Sequence, residues 1–259
     1  MLLNRLTQTI LVVLLSLTLN ACATLSDDDE TKDWTARQLY EASKTALDTA
    51  DYETALKYLE TLESRYPFGR FAQQAQLDII YAYYKFDEPE SAIAAADRFI
   101  KFYPRHPKVD YAYYMRGLSS FNKGMGSLEY LVNLDPVARD PGAASESFQY
   151  FAALLSQFPQ SIYARDAAQR MVYLNDNLAQ HELMVANFYM ERGAYVATVT
   201  RASQIVEKYQ RTPAARAALD LLTEAYRRLD LHDLANDSDR VARLNSTPAT
   251  TTPTAEKGQ

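Results

Sequence analysis

The stretch that decides the fold of this chain is Ala50-Asp51-Tyr52-Glu53-Thr54-Ala55-Leu56, which leads to Tyr66-Pro67. Counted from Ala55, residues suited to a buried face stand at offsets of 0, 4, 7 and 11: Ala55, Leu59, Leu62 and Tyr66. On a helix that turns ~100° per residue, these offsets fall within about 60° of one another. Proline at position 67 stops a helix. The stretch therefore predicts an amphipathic helix with one buried stripe.

The same pattern occurs four times, and each time it ends in an aromatic residue: Tyr66, Tyr103, Phe158 and Tyr209. A proline follows the first three aromatics directly, and Pro213 follows the fourth a little later. An alanine stands nine residues after each aromatic: Ala75, Ala112, Ala167 and Ala218. Small residues at this spacing predict a second helix that packs closely. Arg116 departs from the apolar pattern of that helix, and we expect it to snorkel or to form an ion pair.

The predicted unit is a pair of helices closed by a proline, and the first spacing, from Tyr66 to Tyr103, is 37 residues. This unit resembles the tetratricopeptide repeat of about 34 residues. With residues 34–66 as the first unit and 213–244 as the last, we count five repeats over residues 34–244. The expected fold is an all-α, right-handed α-solenoid of about five tetratricopeptide-like helix pairs. Such a stack presents a curved, concave surface.

The later aromatic spacings, 55 and 51 residues, are too long for one plain repeat. Glycines and Asp-Pro pairs between Phe121 and Pro141 break helices and predict a long loop inside the third repeat. The extra length of the second spacing predicts longer helices around residues 175–191, before Arg192-Gly193-Ala194-Tyr195 turns the chain.

Composition favours a helical protein that does not bind nucleic acid. Hydrophobic residues make up 47%, and only 7 glycines occur in 259 residues, which argues against a turn-rich all-β protein. The formal net charge of −6 leaves no basic excess to neutralise phosphates. The acidic run Asp27–Glu30 predicts a solvated linker over residues 22–33. Residues 245–259, rich in Thr and Pro, predict a disordered tail.

The N-terminus has the features of a bacterial lipoprotein signal peptide, residues 1–21. The apolar run Ile10–Leu19 is about half of the ~20 residues that a membrane-spanning helix needs, and Arg5 precedes it. Leu19-Asn20-Ala21-Cys22 reads as a lipidation box, and Cys22 is the only cysteine. We expect Cys22 to carry N-acyl and S-diacylglycerol lipid. Ala23, in place of the Asp that retains lipoproteins in the inner membrane, favours the periplasmic face of the outer membrane.

No pattern for catalysis or metal binding is found. The three histidines lie far apart, without a second His or Cys at ligand spacing. The chain also lacks a Gly-rich phosphate loop and a Gly-x-Ser-x-Gly motif. We therefore expect no enzymatic activity, no metal and no cofactor other than the covalent lipid.

The 19 tyrosines are the unusual surplus. Most are expected in the core, where repeat helices use Tyr for packing. Consecutive helical residues point in different directions, so Tyr81, Tyr83 and Tyr84 cannot all face one core, and at least one should face outward or into the groove. A tyrosine offers rigid area plus a hydroxyl, which suits it to binding an extended apolar peptide.

Four motifs carry a further resemblance: Arg65-Tyr66-Pro67-Phe68-Gly69, Ile80-Tyr81-Ala82-Tyr83-Tyr84, Tyr114-Met115-Arg116-Gly117-Leu118 and Arg139-Asp140-Pro141. The last three are much more specific than the repeat pattern. With the lipidation box and the repeats, the four motifs resemble the BamD family of the outer-membrane β-barrel assembly machinery. The resemblance implies a scaffold that receives unfolded outer-membrane proteins and works with other lipoproteins of the complex.

The resemblance also implies two binding surfaces. The C-terminal repeats would bind the membrane-proximal POTRA domain of the insertase BamA, with Arg192 and Arg201 at the interface. The N-terminal repeats would hold the C-terminal strand of a client at Tyr66, Phe68, Gly69, Tyr81 and Tyr84. A glycine beside an exposed aromatic lets a peptide backbone approach closely.

Other interpretations stay open on the residues alone. Tyr66 occupies a position that is aromatic in every repeat, which is typical of packing, and both arginines fit ordinary solvated positions. A second hypothesis is a pilotin-like or cell-wall-associated repeat lipoprotein that serves another envelope complex. A third is a periplasmic enzyme on a repeat platform, which would need a perturbed acid or base in a cleft.

Overall fold

The computed structural model describes residues 30–123 and 141–246, and all the regular structure in these ranges is helical. Ten helices follow one another in the described ranges: α1 Ala36–Asp48, α2 Tyr52–Arg65, α3 Arg70–Lys85, α4 Pro89–Phe102, α5 Val109–Lys123, α6 Pro141–Gln157, α7 Ala164–Glu191, α8 Tyr195–Lys208, α9 Pro213–Arg228 and α10 His232–Ser246. Each helix packs on the next, and α1 also contacts α3, α3 contacts α5, and α7 contacts α9. The five consecutive pairs confirm the predicted all-α solenoid.

Local capping explains where several helices begin. The Thr35 side chain accepts a hydrogen bond from the Gln38 backbone N–H, and the Gln38 side chain accepts one from the Thr35 N–H, which forms a capping box for α1. Asp51 accepts from the Thr54 N–H at the start of α2. Pro89 occupies the first turn of α4, where its missing N–H costs nothing.

The four aromatics identified in the sequence occupy one structural position, the C-terminal end of a helix. Each backbone N–H donates to the carbonyl four residues earlier, at 2.8 or 2.9 Å, in Tyr66, Tyr103, Phe158 and Tyr209. Within the described pairs, the turn between the two helices passes through the left-handed region at Ala50, Asp87, Gly193 and Asp230. Helix ends and turns are therefore built alike along the stack.

The predicted stripes form the core. Fully buried side chains occupy them in four helices: Ala55, Leu59 and Leu62; Ala92, Ala96 and Phe99; Ser147, Phe151 and Leu154; Thr198, Ala202 and Ile205. The four alanines nine residues after each aromatic are fully buried as well. Both periodic patterns are thus confirmed, with small residues where helices come close.

Arg116 forms the ion pair expected of it. Its Nη1 lies 2.6 Å from Asp97 Oδ1 on α4, and its guanidinium lies over the rings of Tyr113 and Tyr150. The contacts join α4, α5 and α6, which explains why a cation is tolerated on this largely buried face.

Over residues 30–123 and 141–246, the core consists of two separate apolar clusters joined by α7. The first extends from Leu39 to Leu174, and the second begins at Ala179. Between them, residues 175–178 of α7 are only partly buried. At 28 residues, α7 is the long helix that the extra repeat spacing predicted.

Some predictions fall outside the described residues: the signal peptide, Cys22, most of the acidic linker, the loop over residues 124–140 and most of the tail. At the margins the structure differs slightly. Thr31 is buried, and its carbonyl accepts a hydrogen bond from Arg65, so the end of the predicted linker packs on α2. Helix α10 continues through Asn245 and Ser246, two residues into the predicted tail. None of the helices described has the length and apolar character needed to cross a membrane.

Candidate functional site

The turn between α2 and α3 holds the first three residues predicted to bind a client. Tyr66 ends α2 and donates its hydroxyl proton to the Trp34 carbonyl at 2.9 Å, while about a third of its surface stays exposed. Tyr66 therefore links the segment before α1 to the turn by a hydrogen bond, and only part of its side chain is accessible at the surface.

Phe68 and Gly69 form an exposed apolar edge. Phe68 is 90% exposed, so its ring is available to a partner at little cost in broken contacts. Gly69 has φ of 101°, and nothing lies within 4 Å of the place where a Cβ would stand. No side chain caps α3 there, so backbone N–H groups in its first turn are open to an acceptor. An aromatic side chain and an accessible backbone thus lie side by side.

The tyrosines of α3 point to different neighbours, as the sequence predicts. The Tyr83 hydroxyl donates to Glu60 on α2, and that hydrogen bond, with burial, raises the pKa of Tyr83 to about 12. The Tyr84 hydroxyl accepts from Asn122 on α5 at 3.0 Å. Tyr81 makes neither contact and is 37% exposed. Tyr81 is the α3 tyrosine most available to a ligand.

The five predicted client residues do not form one pocket. Twelve residues separate Gly69 from Tyr81 along α3, which is about 18 Å at 1.5 Å per residue. The structure therefore places them as two groups, one at each end of α3. An extended strand of about five residues would bridge that distance.

Between the two groups lies a partly buried carboxylate, Asp78, that sequence reasoning missed. Gln74 Nε2 donates to Asp78 Oδ1 at 3.1 Å, and Lys44 Nζ on α1 lies 3.8 Å from Oδ2. Burial raises the pKa of Asp78, with Lys44 acting in the opposite direction. Lys108 reaches Gln74 from the turn before α5 at 3.4 Å. The sequence did contain a signal for this residue, because Asp78 is the only acidic residue in α3.

A second polar cluster joins α5 to α7. The Tyr114 hydroxyl donates to Asp166 Oδ2 at 2.8 Å, and Arg170 Nε donates to the same oxygen at 2.6 Å. The Tyr114 ring stacks on Tyr163 with centroids 4.7 Å apart. Burial opposes ionisation of Asp166, but the hydrogen bonds from Arg170 and Tyr114 hold its pKa below the ordinary value. Burial also raises the pKa of Tyr114 to about 12. These satisfied groups position the helices rather than supply a free acid or base.

Of the two arginines predicted for the insertase interface, Arg192 directly follows α7 and Arg201 lies in the middle of α8. Arg201 Nη1 lies 3.2 Å from Glu182 Oε2, and both side chains are partly exposed. Arg192 is exposed and places its guanidinium over the Phe188 ring, 4.2 Å from the centroid. Glu182 precedes Arg192 by ten residues, which is about 15 Å along α7 at 1.5 Å per residue. Arg201 therefore contacts α7 well before its end, whereas Arg192 follows the end of α7 and covers part of an exposed aromatic.

The described residues contain no group of three or more His, Cys, Asp or Glu side chains that could hold a metal ion. His106 packs its ring edge on Phe99 and accepts from the Lys108 N–H at 3.1 Å. Burial lowers the pKa of His106. These contacts give His106 a structural role in the turn before α5.

Comparisons with known proteins identify relatives over most of the chain. Residues 32–241 match the family model YfiO, described as an outer membrane lipoprotein. The chain is 46% identical over 240 residues to the outer membrane protein assembly factor BamD of Neisseria meningitidis serogroup B, covering 91% of this chain and 90% of that protein. It is 39% identical to the protein of that name from Vibrio cholerae, and the match covers 85% of this chain and 91% of that protein. The protein of the same name from Pasteurella multocida is 34% identical, with 90% and 89% covered.

Proposed function

This chain belongs to the BamD family of outer membrane lipoproteins, and from that premise we propose that it is a scaffold for assembling β-barrel proteins in the outer membrane. The observation that carries the proposal is the match over the whole repeat region to relatives named as assembly factors. The polar side chains of α3, α5 and α7 described above form ion pairs or hydrogen bonds, which fits a binding scaffold better than an enzyme. A pilotin-like or cell-wall role for this chain is not favoured by these relatives.

Attachment to the membrane is proposed to occur through lipid on Cys22. Each buried methylene contributes about 0.8 kcal/mol, so several acyl chains together give stable anchoring. Cys22→Ser should release the chain from membrane fractions without changing its helical content. Retention of that variant in membranes lacking the partner proteins would contradict the proposal.

Client recognition is proposed to run along α3, from Phe68 and Gly69 to Tyr81 and Tyr84. A client strand with alternating apolar residues would place one side chain on the Phe68 ring and a later one beside Tyr81, with Tyr66 shaping the turn from behind. Full burial of a phenylalanine contributes about 1.5–3 kcal/mol, so Phe68 offers the largest apolar gain at this site.

The test is crosslinking from a photoreactive residue at position 68 or 81 to a synthetic peptide that ends in a barrel-type strand with a terminal aromatic. A photoreactive residue at Phe102, which is 62% exposed at the end of α4, serves as the matched control. We expect labelling at 68 and 81 that falls when the terminal aromatic is removed. Equal labelling at 102, or no dependence on the aromatic, would refute this assignment.

The insertase contact is proposed at Arg201 and Arg192, toward the POTRA domain of BamA, with other lipoproteins of the complex as further partners. Arg201→Glu should reduce co-purification with BamA, because an arginine desolvated in an interface makes charge-assisted bonds that a glutamate cannot. Arg240→Glu is the control, since it breaks a comparable exposed pair with Asp237 on α10. Each lost exposed pair changes stability by less than about 1 kcal/mol. Equal co-purification of both variants would place the interface elsewhere.

A further inference from the structure

A groove with an apolar floor lies at the C-terminal end of the solenoid. It is enclosed by the end of α8, the start of α9 and the end of α10, and has a volume of about 540 Å³. Val206, Leu219 and Val241 supply its apolar floor, and Arg211 and Arg216 stand at its rim. We call these five residues the C-terminal groove. Val241 is 39% exposed, so part of the floor is open to solvent.

The two rim arginines differ from their neighbours in having no carboxylate partner within the part of the chain that the structure describes. In α9 and α10 the other arginines each pair with an acid on the same helix: Arg227 and Arg228 with Glu224, Arg240 with Asp237, and Arg243 with Asp239. Arg211 and Arg216 are exposed and make no ion pair with any residue that the structure describes. In a chain of net charge −6, they leave a local positive site beside an apolar surface.

The start of α9 adds to this positive character. Thr212 is buried and caps the helix by accepting from the Ala215 N–H at 3.3 Å, which satisfies one of the free N–H groups of the first turn. The remaining partial positive charge of the helix end lies at the groove, next to Arg211 and Arg216. Arginine guanidinium groups bind carboxylates in bidentate geometry. Charge complementarity therefore selects an anionic occupant and disfavours a basic one.

The groove is separate from the proposed insertase surface. Val206 follows Arg201 by five residues on α8, which places it about 140° around the helix. A partner bound at Arg201 would therefore leave the floor of the C-terminal groove accessible.

We propose that the C-terminal groove is a docking site for a short acidic segment of a partner protein, with an apolar side chain on its floor and carboxylates on Arg211 and Arg216. A groove of this volume falls in the range of about 300–1,000 Å³ that binds compact ligands. Recognition of acidic motifs by paired arginines is a general mode of peptide binding. This site goes beyond the family assignment, and its failure would leave the scaffold function untouched.

The test is fluorescence polarisation with the full chain and a labelled synthetic peptide in which a leucine is flanked on each side by two glutamates. We expect saturable binding that weakens as salt is raised, and at least about a tenfold loss in the double variant Arg211→Glu/Arg216→Glu, which corresponds to 1.4 kcal/mol. Arg227→Glu/Arg228→Glu makes the same charge change on α9 away from the groove and should bind as the wild type does. Circular dichroism of both variants checks that they fold.

Three results would overturn the proposal. The first is equal loss of binding in both double variants, which would mean that net charge alone acts. The second is equal binding of a peptide with glutamines in place of the glutamates. The third is absence of peptide binding while vesicles of anionic lipid bind through the same arginines.

Discussion

Gly117→Ala tests how closely the helices of the third pair approach each other. A Cβ at position 117 would lie 2.7 Å from Cδ1 and Cε1 of Phe151, which is fully buried in α6. The carbonyl of Gly117 also accepts a hydrogen bond from the buried Ser147 hydroxyl at 2.9 Å, which holds α6 in place. Because Phe151 is fully buried, its ring cannot turn into solvent to avoid the added methyl group.

The expected size follows from two opposing effects. Overpacking a core costs about 1–3 kcal/mol, whereas replacing a mid-helix glycine by alanine gains about 0.5–1 kcal/mol. We expect a net loss of about 1–2 kcal/mol in the free energy of unfolding. In a protein of this size, that lowers the midpoint of thermal unfolding by about 2–8 °C.

The assay is thermal unfolding followed by circular dichroism, for Gly117→Ala in the wild type and in a Phe151→Leu background. The smaller leucine should relieve the clash, so the alanine should become neutral or stabilising there, with a coupling of about 0.5–3 kcal/mol. A stabilising effect of Gly117→Ala in the wild type, or the same effect in both backgrounds, would refute the packing argument.

Three further predictions follow from the fold. Burial raises the pKa of the Asp78 carboxyl above its ordinary 3.8, so the stability that its protonated form contributes is fully present below pH 3.8 and is lost as pH rises through the raised pKa. Asp78→Asn should remove this pH dependence from the free energy of unfolding, measured in urea across pH. A pH profile equal to that of the wild type would contradict the argument. Ala50, at φ 58°, occupies a left-handed turn, so Ala50→Gly should raise the free energy of unfolding, measured in urea, by up to about 1 kcal/mol, and a decrease would contradict the turn geometry. Since the core has two clusters, hydrogen exchange should show Leu59→Ala loosening mainly the helices before α7 and Ile205→Ala mainly those after it, whereas uniform loosening by both would indicate one cooperative unit.

The repeating part of the structure could be predicted because its causes are local. The stripe that ends at Tyr66 and the alanine at position 75 follow from helix periodicity and proline placement, and both are found where expected. The long helix α7 also follows from counting residues between aromatics. These features depend on residues close together in sequence.

The candidate site was harder to predict because it depends on distant contacts. Helical periodicity predicts that the side chains of Tyr81 and Tyr84 point in different directions. It does not predict that the Tyr84 hydroxyl accepts a hydrogen bond from Asn122, which is 38 residues away. The burial of Asp78 likewise depends on how α1 and α5 dock on α3. The sequence also gave no hint that Arg201 pairs with Glu182, 19 residues earlier on α7. Side-chain partners across helices come from packing that a one-dimensional pattern does not contain.

The central claim, that the chain is an assembly scaffold for outer-membrane β-barrels, is tested most directly by depleting it from its own cells. The measurement is the amount of folded, heat-modifiable barrel protein in the outer membrane, with another outer-membrane lipoprotein as the internal control. We predict that folded barrels fall severalfold while the control lipoprotein stays constant, and that the wild-type chain restores them. Normal levels of folded barrels after complete depletion would contradict the claim.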